Sequence, residues 1–109
     1  MFGISKLSEG EKIARGVFRG NARAIGRLGD SPTDGMKTDL RAMFVREYRR
    51  FKWDSDRYLP DAIVSAAFDD AYRVTPTGSS PDGKPYGERL RKNFIDIVGC
   101  YEDGEFGCW

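Results

Sequence analysis

Apolar residues recur at intervals of three and four positions in several stretches of the chain, which is the spacing of amphipathic helices. The first stretch covers residues 9–28, after a capping box formed by Ser8 and Glu11 and before Gly29. Three interior glycines weaken this helix, so two shorter helices broken near Gly20 stay an alternative. The apolar side of the stretch carries Ile13, Ala14, Val17, Phe18, Ala24, Ile25 and Leu28.

A second helix is predicted after a turn rich in glycine, proline and aspartate. Thr33 or Asp34 caps it, and its pattern continues to about Trp53. One acidic residue, Glu47, interrupts an otherwise apolar face. We expect that face to be core, and it holds Met36, Leu40, Met43, Phe44, Tyr48 and Phe51.

The remainder of the chain predicts two more helices and two irregular segments. One helix begins with Pro60 in its first turn, and another ends at Gly99. Residues 75–85 form a loop rich in proline and glycine, and residues 100–109 form a short C-terminal tail. The predicted fold is therefore all-α: a compact bundle of three to four helices in a single helical domain over residues 1–109.

Four arginines recur every fourth residue along the first predicted helix. At about 100° per residue, successive arginines drift by only ~40° and form a ladder opposite the apolar side. Like charges at this spacing repel, and Glu11 is the acidic residue within the helix that is placed to pair with Arg15. We interpret the ladder as a docking surface for an anionic partner, with a solvated helix face as the alternative. The ladder consists of Arg15, Arg19, Arg23 and Arg27.

The second helix adds a further basic group that alternates with aromatic residues. Such interleaving is typical of surfaces that bind single-stranded nucleic acids. Because Phe44, Tyr48 and Phe51 are expected in the core, the side chains left for a partner are Arg46, Arg49, Arg50 and Trp53.

The net charge of +1 conceals a strong asymmetry along the chain. Residues 1–53 hold twelve lysines and arginines against six acidic residues, or +6, whereas residues 54–109 hold six against eleven, or −5. A split of this kind bears on partners rather than on fold. The alternative is that the two halves pack together and neutralise each other.

The sequence offers little for catalysis or for metal binding. It contains no histidine, Cys100 has no candidate base, and no phosphate-binding loop or nucleophile elbow occurs. We therefore expect no enzyme activity, no catalytic residue, no metal site and no cofactor. Cys100 and Cys108 are expected to be free thiols, which on oxidation would close a small C-terminal loop. With no membrane-length apolar run and no signal-peptide pattern at the N-terminus, a cytoplasmic location is expected.

These features favour a small non-enzymatic protein that regulates or inhibits a macromolecular partner by docking on an acidic surface. That surface would belong to a protein or to a protein–nucleic-acid assembly. A phage or mobile-element accessory protein acting on a host machine fits these constraints. Two alternatives stay open: a nucleic-acid-binding protein that places the same arginines on phosphates, and a structural subunit or homodimer in which opposite charges meet. No membrane partner is expected.

Overall fold

The computed structural model describes residues 6–78 and 80–105, and within them the chain forms five α-helices and no strand. The all-helical prediction is confirmed. The predicted number of three to four helices is wrong, because the first predicted helix is two. In chain order the helices are α1 (Glu9–Phe18), α2 (Ala22–Leu28), α3 (Asp34–Lys52), α4 (Asp61–Val74) and α5 (Tyr86–Glu102).

The break between α1 and α2 depends on two glycines. Gly20 has φ +73°, a conformation that L side chains rarely adopt. Asn21 then caps α2, its side-chain oxygen accepting a hydrogen bond of 3.0 Å from the backbone N–H of Ala24. At Gly16 an added Cβ would lie 2.4 Å from the Cβ of Ala24. The two short helices therefore pack together because neither glycine carries a side chain.

The core forms where α1 packs on α3, α3 on α4, and α4 on α5, with α1 and α2 also contacting α5. Aromatic rings dominate its centre. The ring centroid of Phe44 lies 5.3 Å from that of Phe68 and 5.0 Å from that of Phe94, in edge-to-face geometry. The side chains of these rings are buried, together with Ala14, Val17, Leu40, Val64 and Leu90.

Local signals placed most helix starts correctly. Ser8 and Glu11 form the complete capping box of α1, and the Thr33 side chain caps α3. Pro60 is the residue before α4 rather than part of its first turn. The predicted end of the last helix at Gly99 is wrong, because α5 continues to Glu102.

Phe51 also departs from prediction, since it is 60% exposed rather than buried. Phe44 and Tyr48, on the same face of α3, are buried as expected. Phe51 lies in the last turn of the helix, where its ring stacks on that of Phe18 with centroids 6.0 Å apart. One side of its ring is therefore covered and the other faces solvent.

The C-terminal predictions fall largely beyond the described part of the chain. Cys100 is disulfide-bonded, so the expectation of a free thiol at this position is wrong. Cys108 and the remaining residues of the tail lie outside the described residues.

The connection between α4 and α5 is anchored by Arg89, which donates hydrogen bonds to the carbonyl oxygens of Pro76 at 2.7 Å and Gly78 at 2.6 Å. None of the described helices is both long enough and apolar enough to cross a membrane.

Candidate docking site

The four arginines of the ladder converge on one cleft between α1 and α2. Its volume is about 370 Å³, and Lys12 joins the arginines in lining it. The break at Gly20 changes the arrangement that the sequence predicted: a straight helix would present the arginines as a convex row, whereas two packed helices place them around a concavity. We call this surface the basic cleft, and its charged residues are Lys12, Arg15, Arg19, Arg23 and Arg27.

The five cations differ in how they are held. Arg27 lies 3.5 Å from Glu9, and both side chains are more than half exposed, so this pair is weak. Glu11, the acidic residue placed to pair with Arg15, instead accepts a hydrogen bond from the backbone N–H of Ser8. Within residues 6–78 and 80–105, no ion pair or side-chain hydrogen bond engages Lys12, Arg15 or Arg23.

Arg19 has a structural partner that the sequence did not reveal. Its Nε donates a hydrogen bond of 2.6 Å to Oε1 of Glu47, whose side chain is only 2% exposed. Glu47 looked like an interruption of an apolar face, yet a buried carboxylate requires a cation or donors nearby. An acidic residue on an apolar helix face could therefore have predicted a buried ion pair at Glu47. The sequence did not indicate which of the many arginines would be its partner.

The predicted residues of α3, together with Trp53 directly after it, share one exposed face. Their spacing of three, four and seven residues places them on the same side of the helix. Arg46 and Arg50 flank Glu47 along the chain, and neither makes an ion pair among the described residues. The Trp53 side chain is 69% exposed. Arg49 differs, since both Nε and Nη2 of its guanidinium engage the carboxylate of Asp61 at the start of α4.

Several ion pairs link the basic N-terminal half of the chain to its acidic C-terminal half. Arg41 pairs with Asp69 at 2.8 Å and Lys52 with Glu102 at 3.3 Å, in addition to the Arg49 pair. Internal neutralisation therefore accounts for cations of α3 that face α4 and α5. Among the described residues, no acidic side chain pairs with Arg15 or Arg23 in the basic cleft, or with Arg46 or Arg50 on α3.

Other kinds of site are less well supported. In the part of the chain that the structure describes, no group of three or more His, Cys, Asp or Glu side chains is placed to hold a metal ion. No family model matches the chain, and neither the curated proteins nor the solved structures contain a significant match.

Proposed function

We propose that this protein is a small regulatory or inhibitory protein that acts by docking on an acidic protein surface through the basic cleft. The observation that carries the proposal is the gathering of five cations in one concavity, of which Lys12, Arg15 and Arg23 have no acidic partner among the described residues. Guanidinium groups pair with carboxylates in bidentate geometry, which favours a docking role.

The shape of the cleft supports a protein partner over a nucleic acid. The cleft lies between two short helices, of ten and seven residues, that are joined through the turn at Gly20. A compact group of carboxylates fits such a space, whereas an extended phosphate backbone needs cations spaced along a track. Arg46, Arg50 and Trp53, which share an exposed face towards the end of α3, would give a second contact to the partner, with the exposed indole as an aromatic anchor.

A binding experiment with matched charge variants tests the proposal. The probes are a fluorescent polyglutamate peptide and single-stranded and duplex oligonucleotides of similar length. The test variant R15Q/R23Q removes two cleft cations. The control R57Q/R73Q removes the same charge from two exposed arginines that lie outside the cleft and pair with Asp103 and Asp70.

The expected result is selective loss of polyglutamate binding in R15Q/R23Q. If each pair is worth about 0.5–1 kcal/mol at a partly exposed site, the dissociation constant rises by about five- to thirtyfold. The control should stay within about twofold of wild type. Equal losses in both variants would reduce the effect to net charge. Preferential binding of an oligonucleotide, with a steep salt dependence, would instead establish the nucleic-acid alternative.

A further inference from the structure

A second concave surface lies between α3 and α5. The backbones of the two helices stay apart, with no Cα atom of α3 within 8 Å of a Cα atom of α5. Side chains bridge the gap, since the Phe44 ring packs on Phe94 and the Tyr48 hydroxyl donates to Glu102. The end of α1 fills the depth of the gap: the ring centroid of Phe18 lies 5.4 Å from that of Phe44 and 6.2 Å from that of Phe94. Above these rings a groove of about 510 Å³ stays open to solvent.

The walls of this groove are apolar and partly exposed. Phe51 on α3 is 60% exposed and Ile95 on α5 is 47% exposed, and both line the same space. Large apolar side chains scattered over a surface need no explanation, but a concave group of them indicates a binding surface. We call this surface the apolar groove, and its apolar lining consists of Phe18, Tyr48, Phe51, Ile95, Val98 and Gly99.

Three cations stand at the rim of the apolar groove, and the protein fixes the positions of two of them. The Nε of Arg19 donates to Glu47, and the Nε of Arg91 donates to the carbonyl oxygen of Phe18 at 2.7 Å. In both guanidinium groups the terminal nitrogens have no hydrogen-bond partner among the described residues. The third cation, Lys52, pairs with Glu102 at 3.3 Å. The rim therefore presents two guanidinium groups, each held at Nε with its terminal nitrogens available to a ligand.

Gly99 keeps one stretch of this wall low. It lies inside α5, its φ is not positive, and a Cβ added there would meet no atom within 4 Å. Alanine is the better helix former at such a position, so the fold described here does not require glycine. What glycine provides is a low stretch of the groove wall, where another backbone can come near.

We propose that the apolar groove receives an amphipathic, acidic helix of the protein partner. The proposal rests on the docking function and names the chemistry of the docked segment. Apolar side chains spaced three and four residues apart insert between Phe51 and Ile95, and acidic residues beside them pair with Arg19 and Arg91. From Arg91 to Glu102 the wall of α5 extends roughly 16 Å, which accommodates about three helical turns.

A pair of designed peptides tests the charge requirement. The first is a peptide of about 15 residues, about four helical turns, with leucine along one face and glutamate on the other. The second carries lysine in place of every glutamate. At 0.15 M salt the glutamate peptide should bind the full chain at least about tenfold more tightly than the lysine peptide. Equal affinity for the two peptides, or no binding of the glutamate peptide at about millimolar concentration, would overturn the proposal.

Matched glycine variants test the location. G99L fills the apolar groove and should weaken binding of the glutamate peptide by about tenfold or more. The control G26L places the same side chain on α2, at another glycine whose added Cβ would meet nothing, and should bind like wild type. G99A keeps the test valid if G99L folds poorly, since alanine favours the helix: its melting temperature should not fall, while its affinity should. An unchanged affinity in a folded G99L would place the peptide elsewhere.

Two further measurements distinguish a helix bound in the apolar groove from binding at the basic cleft and from binding of a small amphiphile. R15Q/R23Q should lose polyglutamate binding and yet retain the glutamate–leucine peptide within about threefold, because neither Arg15 nor Arg23 lines the apolar groove. Failure of the basic cleft and failure of the apolar groove are therefore seen in different measurements. If dodecanoate binds the wild-type chain and G26L but not G99L, while the peptide does not bind, a small amphiphile is the occupant and the helix proposal is wrong.

Discussion

Replacing Arg19 by alanine leaves the carboxylate of Glu47 buried without a cation. Glu47 is 2% exposed, and the bond from the Nε of Arg19 is the sole hydrogen bond or ion pair to its side chain in the described part of the chain. Arg23, on the same ladder, is exposed and has no such partner. R19A and R23A therefore both remove an arginine side chain, but only R19A leaves a buried carboxylate without its cation.

The expected difference follows from the burial of the pair. Removing one partner of a fully buried ion pair costs about 3–5 kcal/mol, because the other charge is left uncompensated. The Arg19 side chain is 40% exposed, so solvent screens the pair and enters the space that alanine leaves. We therefore expect R19A to lower the free energy of unfolding by about 2–3 kcal/mol. R23A should stay within about 0.5 kcal/mol of wild type.

Urea unfolding followed by far-ultraviolet circular dichroism at pH 7 measures both values. In thermal melts the same loss should lower the melting temperature of R19A by roughly 10 °C or more. The double variant R19A/E47L should recover most of the stability, because an apolar side chain leaves no buried charge. Equal stabilities of R19A and R23A, or a double variant less stable than R19A, would refute the reasoning.

Two tyrosines give contrasting predictions. The Tyr86 hydroxyl is buried with no hydrogen-bond partner among the described groups, so Y86F should keep or raise the free energy of unfolding by up to about 1 kcal/mol; a clear loss in urea unfolding would contradict this. The Tyr48 hydroxyl donates to Glu102 and accepts the backbone N–H of Leu59, each at 3.0 Å, and Y48F should cost about 1–2 kcal/mol by the same assay. Burial is the main cause that raises the pKa of Tyr48 to about 12, against an ordinary value of 10.0. Wild-type stability should therefore fall as the pH rises from 10 to 12, because the unfolded chain releases this proton first. Y48F should show a smaller fall over that range, and an unchanged pH profile would assign the loss to other groups.

The elements that local rules govern were predictable from the sequence. A capping box needs only Ser8 and Glu11 at the correct spacing, and the Thr33 cap needs only its own hydroxyl. The break at Gly20 was harder, since a glycine in a helix and a glycine at positive φ look alike in sequence. Gly16 favours two packed helices over one straight helix because its missing side chain leaves room for Ala24. That close approach exists only once the chain has folded back.

The candidate site was predictable in its residues but not in its shape. The spacing identified the arginines of the ladder, yet it implied a row rather than a cleft. The partner of Glu47 lies 28 residues away, and the capture of Arg49 by Asp61 likewise crosses from one helix to another. Phe51 followed the apolar pattern and is nevertheless 60% exposed, because the Phe18 ring of α1 covers one side of it and, among the described residues, the other side stays open. Such contacts depend on tertiary packing, which periodicity does not encode.

Arg19 lines both the basic cleft and the apolar groove. Two ligands that share a side chain are thermodynamically linked: if occupying one surface reorients the guanidinium, the affinity of the other changes, and the coupling factor is the same in both directions. Glu47 limits that reorientation by holding Nε. Ordering the outer part of the side chain for one ligand lowers the entropic cost of binding the second. For a partner that engaged both surfaces, Arg19 would be the point of coupling between them.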